Sequence, residues 1–164
     1  MAEAGGGRTW LGWLGLSAAV VGADQLSKWA LLEALRPGDE RVVTSFFSLV
    51  LTFNTGAAFS FLRDAGDWSR YLFSAVAIAA SGLIVWLLRR GGDAWYCSGL
   101  ALILGGALGN LWDRLTLGHV VDFLLLHWER WYYPAFNVAD SAITVGAALL
   151  IYESFRRRRD EPAH

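Results

Sequence analysis

The hydrophobic positions of this chain fall in long unbroken blocks, and most of its charges stand between them. Apolar runs occupy about residues 10–35, 71–88, 94–115 and 138–155. An α-helix rises 1.5 Å per residue, so roughly 20 residues cross about 30 Å of hydrocarbon. Each run is near that length, and the pattern predicts four transmembrane helices. The first run is interrupted by Asp24 and Lys28, the third ends on Asp113–Arg114, and the fourth carries Asp140 near its start. Arg8, an apolar stretch and the small residues of SAAVVGA have the outline of a cleavable secretion signal. The run continues through Asp24 into WALLEAL, however, and an uncleaved first helix is the simpler expectation.

The two longer connections, about residues 36–70 and 116–137, have patterns of their own. RVVTSFFSLVLTFN in the first is rich in β-branched and aromatic residues and predicts one or two short strands. Its end, NTGAAFSFL, is too apolar for a free loop and is expected on the membrane surface. HVVDFLLLHWERW in the second fits a short strand or an interfacial helix, and periodicity does not choose between them. There is no internal repeat, and the expectation is one integral-membrane domain over residues 1–164.

Charge placement adds an orientation. Basic residues cluster at Arg8, Arg89–Arg90 and Arg156–Arg159, three places that four spans put on one side. Clustered basic residues at span ends mark the cytoplasmic face, so both termini are expected inside and both longer connections outside. Trp10, Trp13, Trp29, Trp68, Trp95, Trp112 and Trp131 lie near predicted span ends, as interfacial anchors do. Of 164 residues, 55% are hydrophobic and only 18% charged, with a net charge of −1. That balance argues against a nucleic-acid partner. The single cysteine, Cys97, lies in an apolar run and reads as a small buried hydrophobe. Three histidines and one cysteine make no metal-ligand set, and no cofactor fingerprint is present.

The candidate chemistry lies in the acids. With these spans, Asp122 and Asp140 flank one connection on one face. Asp24 stands about 14 residues, roughly 21 Å, along the first helix from Trp10, toward the same face. Lys28 follows at i+4 as its natural partner. Ionisable groups at such depths are costly and are functional candidates by default. The Asp24–Lys28 pair also fits a plain packing role, and Asp113–Arg114 fits a helix end snorkelling to water. Asn110 lies one turn before Arg114, so both residues have a route toward the acids. Gly105, Gly106 and Gly109 supply a small-residue face for helix packing. Two aspartates held close in a half-dry site do not both ionise easily, and such a pair can activate a water against an amide carbonyl. On spacing alone, the same acids fit a small four-helix proton or ion transporter.

Four stretches are more specific: DQLSKWA from residue 24, FNTGAAFSFL from 53, GNLWDRLTLGHVVDF from 109 and FNVADSA from 136. In this order they resemble the lipoprotein signal peptidase family, and the resemblance covers nearly the whole chain apart from its two tails. It implies an aspartic endopeptidase that removes signal peptides from diacylglyceryl-modified prolipoproteins, cutting just before the lipidated cysteine. The implied fold is four transmembrane helices, a small extracytoplasmic β-sheet and a short periplasmic helix. Asp122 and Asp140 match the catalytic pair. Asp24, Asn54, Gly56, Asn110, Arg114, Asn137 and Ala139 match other motif positions, and Lys28 joins them as the partner of Asp24. The implied enzyme works as a monomer in the bacterial cytoplasmic membrane without metal or cofactor, its partners being lipids and prolipoproteins. The asparagines are suited to orient the carboxylates or to bind substrate backbone, and Arg114 to bind a substrate carbonyl or steady an acid. The motifs of presenilin-type proteases, GxGD and YD, are absent from the sequence.

Overall fold

A computed structural model describes residues 6–56 and 68–160. The chain runs α1 (Gly6–Ala34), β1 (Glu40–Thr44), β2 (Phe47–Asn54), α2 (Trp68–Arg90), α3 (Ala94–Thr116), β3 (Val120–Trp128), β4 (Trp131–Tyr132) and α4 (Val138–Asp160). Among the described residues three helices are long and apolar enough to cross a membrane: Trp68–Arg90, Ala94–Thr116 and Val138–Arg157. The 29-residue α1 has the length but carries Asp24, Lys28 and Glu33 in its second half. Asp24 and Lys28 are turned inward, and Glu33 is exposed in the last turn. Asp24 is 0% and Lys28 2% exposed, whereas Leu26 and Trp29 are exposed at 67% and 64%.

The helix α3 packs against each of the other three. Small residues make this possible. A Cβ built on Gly105 would lie 2.7 Å from Val20 of α1, and one on Gly106 would lie 2.4 Å from the carbonyl oxygen of Ala139 in α4. At Gly109 the nearest atom would be an Asp24 carboxylate oxygen at 2.7 Å. With no hydrophobic force between helices in lipid, close backbone approach of this kind is what holds them together. Away from the site, Ile84, Leu88, Cys97, Leu100 and Leu104 form the buried apolar core of the bundle. Asp93 caps α3 by accepting from the Tyr96 N–H at 3.0 Å and pairs with Arg156 of α4 at 2.7 Å, which closes that end. Replacing Gly106 by Ala is expected to cost about 1–3 kcal/mol, because a carbonyl oxygen has nowhere to yield. The thermal midpoint in detergent should fall by roughly 5 °C. Gly82→Ala, with no atom within 4 Å of the new methyl, should not lower it, since alanine is the better helix former.

The four strands form an antiparallel sheet in the order β1-β2-β3-β4. The first connection therefore holds two strands, and VVDFLLLHW is a strand, not a helix. Leu35 at the end of α1 packs on Leu51 and Val121, which seats the sheet on the bundle. A bulge between Leu49 and Thr52 shifts the β2–β3 register, so that Thr52 faces Asp122 and Asn54 faces Val120. Residues 57–62 of the segment expected on the membrane surface lie outside the described residues, and among the described residues no short helix accompanies α1 to α4.

Candidate active site

Asp122 and Asp140 are brought to the same end of the bundle by two local devices. Asp122 lies on β3, 2% exposed. Just before α4, Phe136 bridges to Leu124: its N–H donates to the Leu124 carbonyl at 3.0 Å, and its carbonyl accepts from the Leu124 N–H at 2.8 Å. That pairing lays the start of α4 beside Asp122. Asn137 is the residue before the first of α4, and its Oδ1 accepts the Asp140 N–H at 2.9 Å, as an N-cap does for the third helical position. Asp140 is thus held in the first helical turn, where the helix dipole favours an anion.

Two asparagines link the carboxyls and a third holds one of them. Asn137 Nδ2 donates to Asp122 Oδ1 at 2.7 Å and to Asn110 Oδ1 at 3.1 Å. Asn110 Nδ2 donates to Asp140 Oδ1 at 2.7 Å. On the other side, Asn54 Nδ2 reaches Asp122 Oδ2 at 3.0 Å. Each amide has its direction set by a neighbour. Gly56, at φ 94°, turns its N–H onto Asn54 Oδ1 at 2.8 Å, which leaves the Asn54 amino group for Asp122. A side chain at Gly56 would also strike Phe73. Asn110 Oδ1 accepts from Lys28 Nζ at 3.1 Å, so its amino group must face Asp140.

Beneath the asparagines lies a buried ionic cluster. Lys28 uses all three of its donors: Asp24 Oδ2 at 2.7 Å, Asp113 Oδ2 at 2.8 Å and Asn110 Oδ1. Asp24 Oδ1 accepts the Ala139 N–H at 2.9 Å, an otherwise unsatisfied donor in the first turn of α4. Ala139 is itself fully buried against Gly106 and Gly109, which explains a small residue there. Asp113 is a correction to the sequence reading. It does not snorkel to water: it is 1% exposed and pairs with Lys28. Gln25, also missed, donates to Asp113 Oδ1 at 2.8 Å and to the Gly109 carbonyl at 3.2 Å. Two signals for Asp113 were present. It stands at i+3 from Asn110, and DQLSK places three polar groups opposite the glycine face of α3.

Arg114 is half-buried. Its guanidinium donates to the Asn110 carbonyl at 3.2 Å and lies 5.3 Å from the Phe73 ring centre. It is within electrostatic reach of Asp140, Asp122 and Asp113. His119 packs on Phe53, and His127 shares a hydrogen bond with the buried Ser48 hydroxyl.

The electrostatics of Asp122 follow from this setting. Burial, and then the neighbouring Asp140 charge, push its carboxyl up from 3.8 to about 7, against the Asn54 and Asn137 hydrogen bonds. Near neutral pH the pair therefore holds a proton that an exposed pair would lose. Beside Asp140 opens a cleft of about 380 Å³ lined by Leu126, Trp131, Tyr133, Phe136, Ser141, Thr144 and Val145. Ser141 and Thr144 turn their hydroxyls onto the carbonyls of Asn137 and Asp140, both at 2.9 Å. Among the described residues, Asp140 is then the one charged group on an apolar wall. A carboxyl pair that shares a proton and borders an apolar cleft can perform general acid–base chemistry on a greasy substrate.

Comparison with known proteins covers most of the chain. The family model described as signal peptidase (SPase) II matches residues 16–156. The chain is 56% identical over 148 residues to a lipoprotein signal peptidase of Burkholderia ambifaria, across 90% of this chain and 89% of that one. It is 52% identical over 153 residues to the lipoprotein signal peptidase of Pseudomonas syringae pv. tomato, across 91% and 88%. A solved bacterial membrane enzyme, obtained by the in meso method, superposes with a TM-score of 0.81 at 26% identity and covers 93% of this chain and 92% of its own. The match runs through the bundle, the sheet and the aspartate cluster alike, and the chain belongs to the signal peptidase II family.

Proposed function

We propose that Asp122 and Asp140 are the catalytic dyad of this aspartic endopeptidase, and that they cut a diacylglyceryl-modified prolipoprotein just before its lipidated cysteine. The observation that carries the reading is the asparagine-linked pair itself. Two carboxyls from separate elements are bound into one network, and one of them keeps a proton up to about pH 7. Ionised Asp140 takes a proton from a water as its oxygen attacks the scissile carbonyl carbon. Protonated Asp122 gives its proton to the carbonyl oxygen. The tetrahedral intermediate collapses as one of its hydroxyls returns a proton to Asp122, the nitrogen of the cysteine takes a proton from Asp140, and the C–N bond breaks. The signal peptide leaves with a new carboxylate, and the cysteine with a free amine. Arg114 and the asparagines orient these groups, and no step calls for a metal or cofactor.

We also assign α1 as a fourth span. Asp24 and Lys28 lie inside the bundle, Leu26 and Trp29 face outward, and the exposed Glu33 stands in the last turn, so a hydropathy average counts against α1 two charges that would not meet lipid. The dyad end then faces outward from the bacterial cytoplasmic membrane, and the Arg89–Arg90 and Arg156–Arg157 end lies inside with both termini. The cleft beside Asp140 receives the apolar part of the precursor, within reach of lipid, and the enzyme acts as a monomer. The acids gather at one depth, whereas a proton relay would string them across the bilayer.

The test is incubation of purified enzyme with a diacylglyceryl-modified precursor and with its unlipidated twin. Signal peptide released from the lipidated form alone is the expected result. Equal cleavage of both would remove the lipid from the recognition.

A further inference from the structure

The upper edge of β3 is braced at two points, one on each side of Asp122. The Phe123 N–H donates to the Phe136 carbonyl at 3.0 Å, which ties the strand to the start of α4. The Val121 N–H points to the same edge and donates to Asp113 Oδ2 at 3.1 Å. That carboxylate also accepts from Lys28 on the same oxygen and from Gln25 on the other. A backbone donor that would otherwise be buried and unsatisfied is thus pinned to α3 and α1 through a charge-assisted bond.

We propose that Asp113 is a positioning residue that sets the spacing of the two reacting carboxyls from one face of α3. Asp113 holds the strand one residue before Asp122. Asn110, three residues earlier on that face, donates directly to Asp140. One rigid helix therefore grips both members of the pair, and Lys28 touches both grips at once. The inference rests on the dyad reading and extends it to a residue with no contact to either reacting carboxyl. Spacing matters because a displacement of about 1 Å can cost up to roughly a hundredfold in rate.

Asp113 also contributes charge. Among the described residues, the ionisable groups around Asp122 are Asp140 of α4, Asp24 and Lys28 of α1, and Asp113 and Arg114 of α3. Lys28 lowers the Asp122 value, and Asp113 pairs with the same ammonium at 2.8 Å, so an opposite charge beside it counters that field. Wild-type kcat/KM should fall as pH rises through about 7, where the pair loses its shared proton. Asp113→Asn keeps the shape but removes the negative charge, so Lys28 acts on Asp122 with less opposition and the alkaline limb moves to lower pH.

The experiment measures kcat, KM and the pH profile of cleavage of a lipidated precursor, per folded enzyme, for wild type, Asp113→Asn and Asp113→Glu. Asp113→Asn is expected to lower kcat about 10- to 100-fold, to leave KM within about twofold, and to shift the limb down. Asp113→Glu keeps the charge but displaces the strand by one methylene, so its limb should stay at the wild-type pH while kcat still falls. Unchanged kcat and an unmoved limb in Asp113→Asn would overturn the proposal. Should Asp113→Asn not fold, wild-type kcat in Asp113→Glu would overturn it equally. A wild-type enzyme without activity on the precursor would instead count against the dyad reading itself.

Discussion

Asp122→Asn and Asp140→Asn should each lower the rate of precursor cleavage by at least about a thousandfold, within the range of lost general acid–base catalysis, while the protein still inserts and folds. The two losses should not multiply. Each step needs one proton donor and one acceptor, and removing either leaves the other without a partner, so the double variant is expected to be no slower than the singles. Stability separates this from a folding defect. The Asp122 carboxyl is held at about 7 in the folded chain against 3.8 for an ordinary carboxyl. Between those values the folded state binds more protons than the unfolded, so this group's contribution to stability falls as pH rises. An asparagine has no proton to lose. Asp122→Asn should therefore gain on wild type in thermal midpoint between about pH 4 and pH 7, even as activity disappears. A variant that is inactive and also progressively less stable than wild type over that window would contradict the account. Substantial turnover by either single variant would end the dyad model.

The parts of this site that were legible in the sequence are those fixed by local composition. Long apolar blocks mark helices whatever surrounds them, and a lone acid at the mouth of a block, such as Asp140, stands out because lipid gives it no other excuse. The conformation around Asp122 was not legible. VVDFLLLHW has neither a clean alternation nor a helical stripe, and its extended form is decided by pairing with β2, more than 60 residues earlier in the chain. Asp113 and Arg114 show the same limit. They are adjacent at a helix end, and each has a route back toward Asn110. Only the presence of Lys28 on the facing helix decides that Asp113 turns inward to 1% exposure while Arg114 turns to Phe73. Gly56 was legible as a motif position but not in its task, which is to aim one amide. The β-bulge ahead of Asn54 left no signal, since Val50 and Leu51 suit a regular strand equally well.

Lys28→Met should be the most destabilising single change in the cluster. The Lys28 ammonium is 2% exposed and is the counter-charge to two carboxylates, Asp24 and Asp113, exposed at 0% and 1%. Removing one partner of a buried ion pair typically costs about 3–5 kcal/mol, because the remaining charge has neither water nor counter-ion. Here two charges would be stranded, and the thermal midpoint in detergent should fall by on the order of 10 °C or more. Activity should fall further than stability requires. Without Lys28, Asn110 Oδ1 keeps only the Asn137 donor among the described residues, and the amide that reaches Asp140 is less firmly directed. The diagnostic is rescue by removal of charge. Adding Asp113→Asn to Lys28→Met takes away one stranded anion and should return part of the lost midpoint, although each change alone destabilises. Activity should not return with it, because neither Asn110 nor the edge of β3 regains its charged anchor. Simple additivity of the two midpoint losses would mean that Lys28 and Asp113 do not act as a pair, and the ionic cluster would then be packing with no bearing on the carboxyls above it.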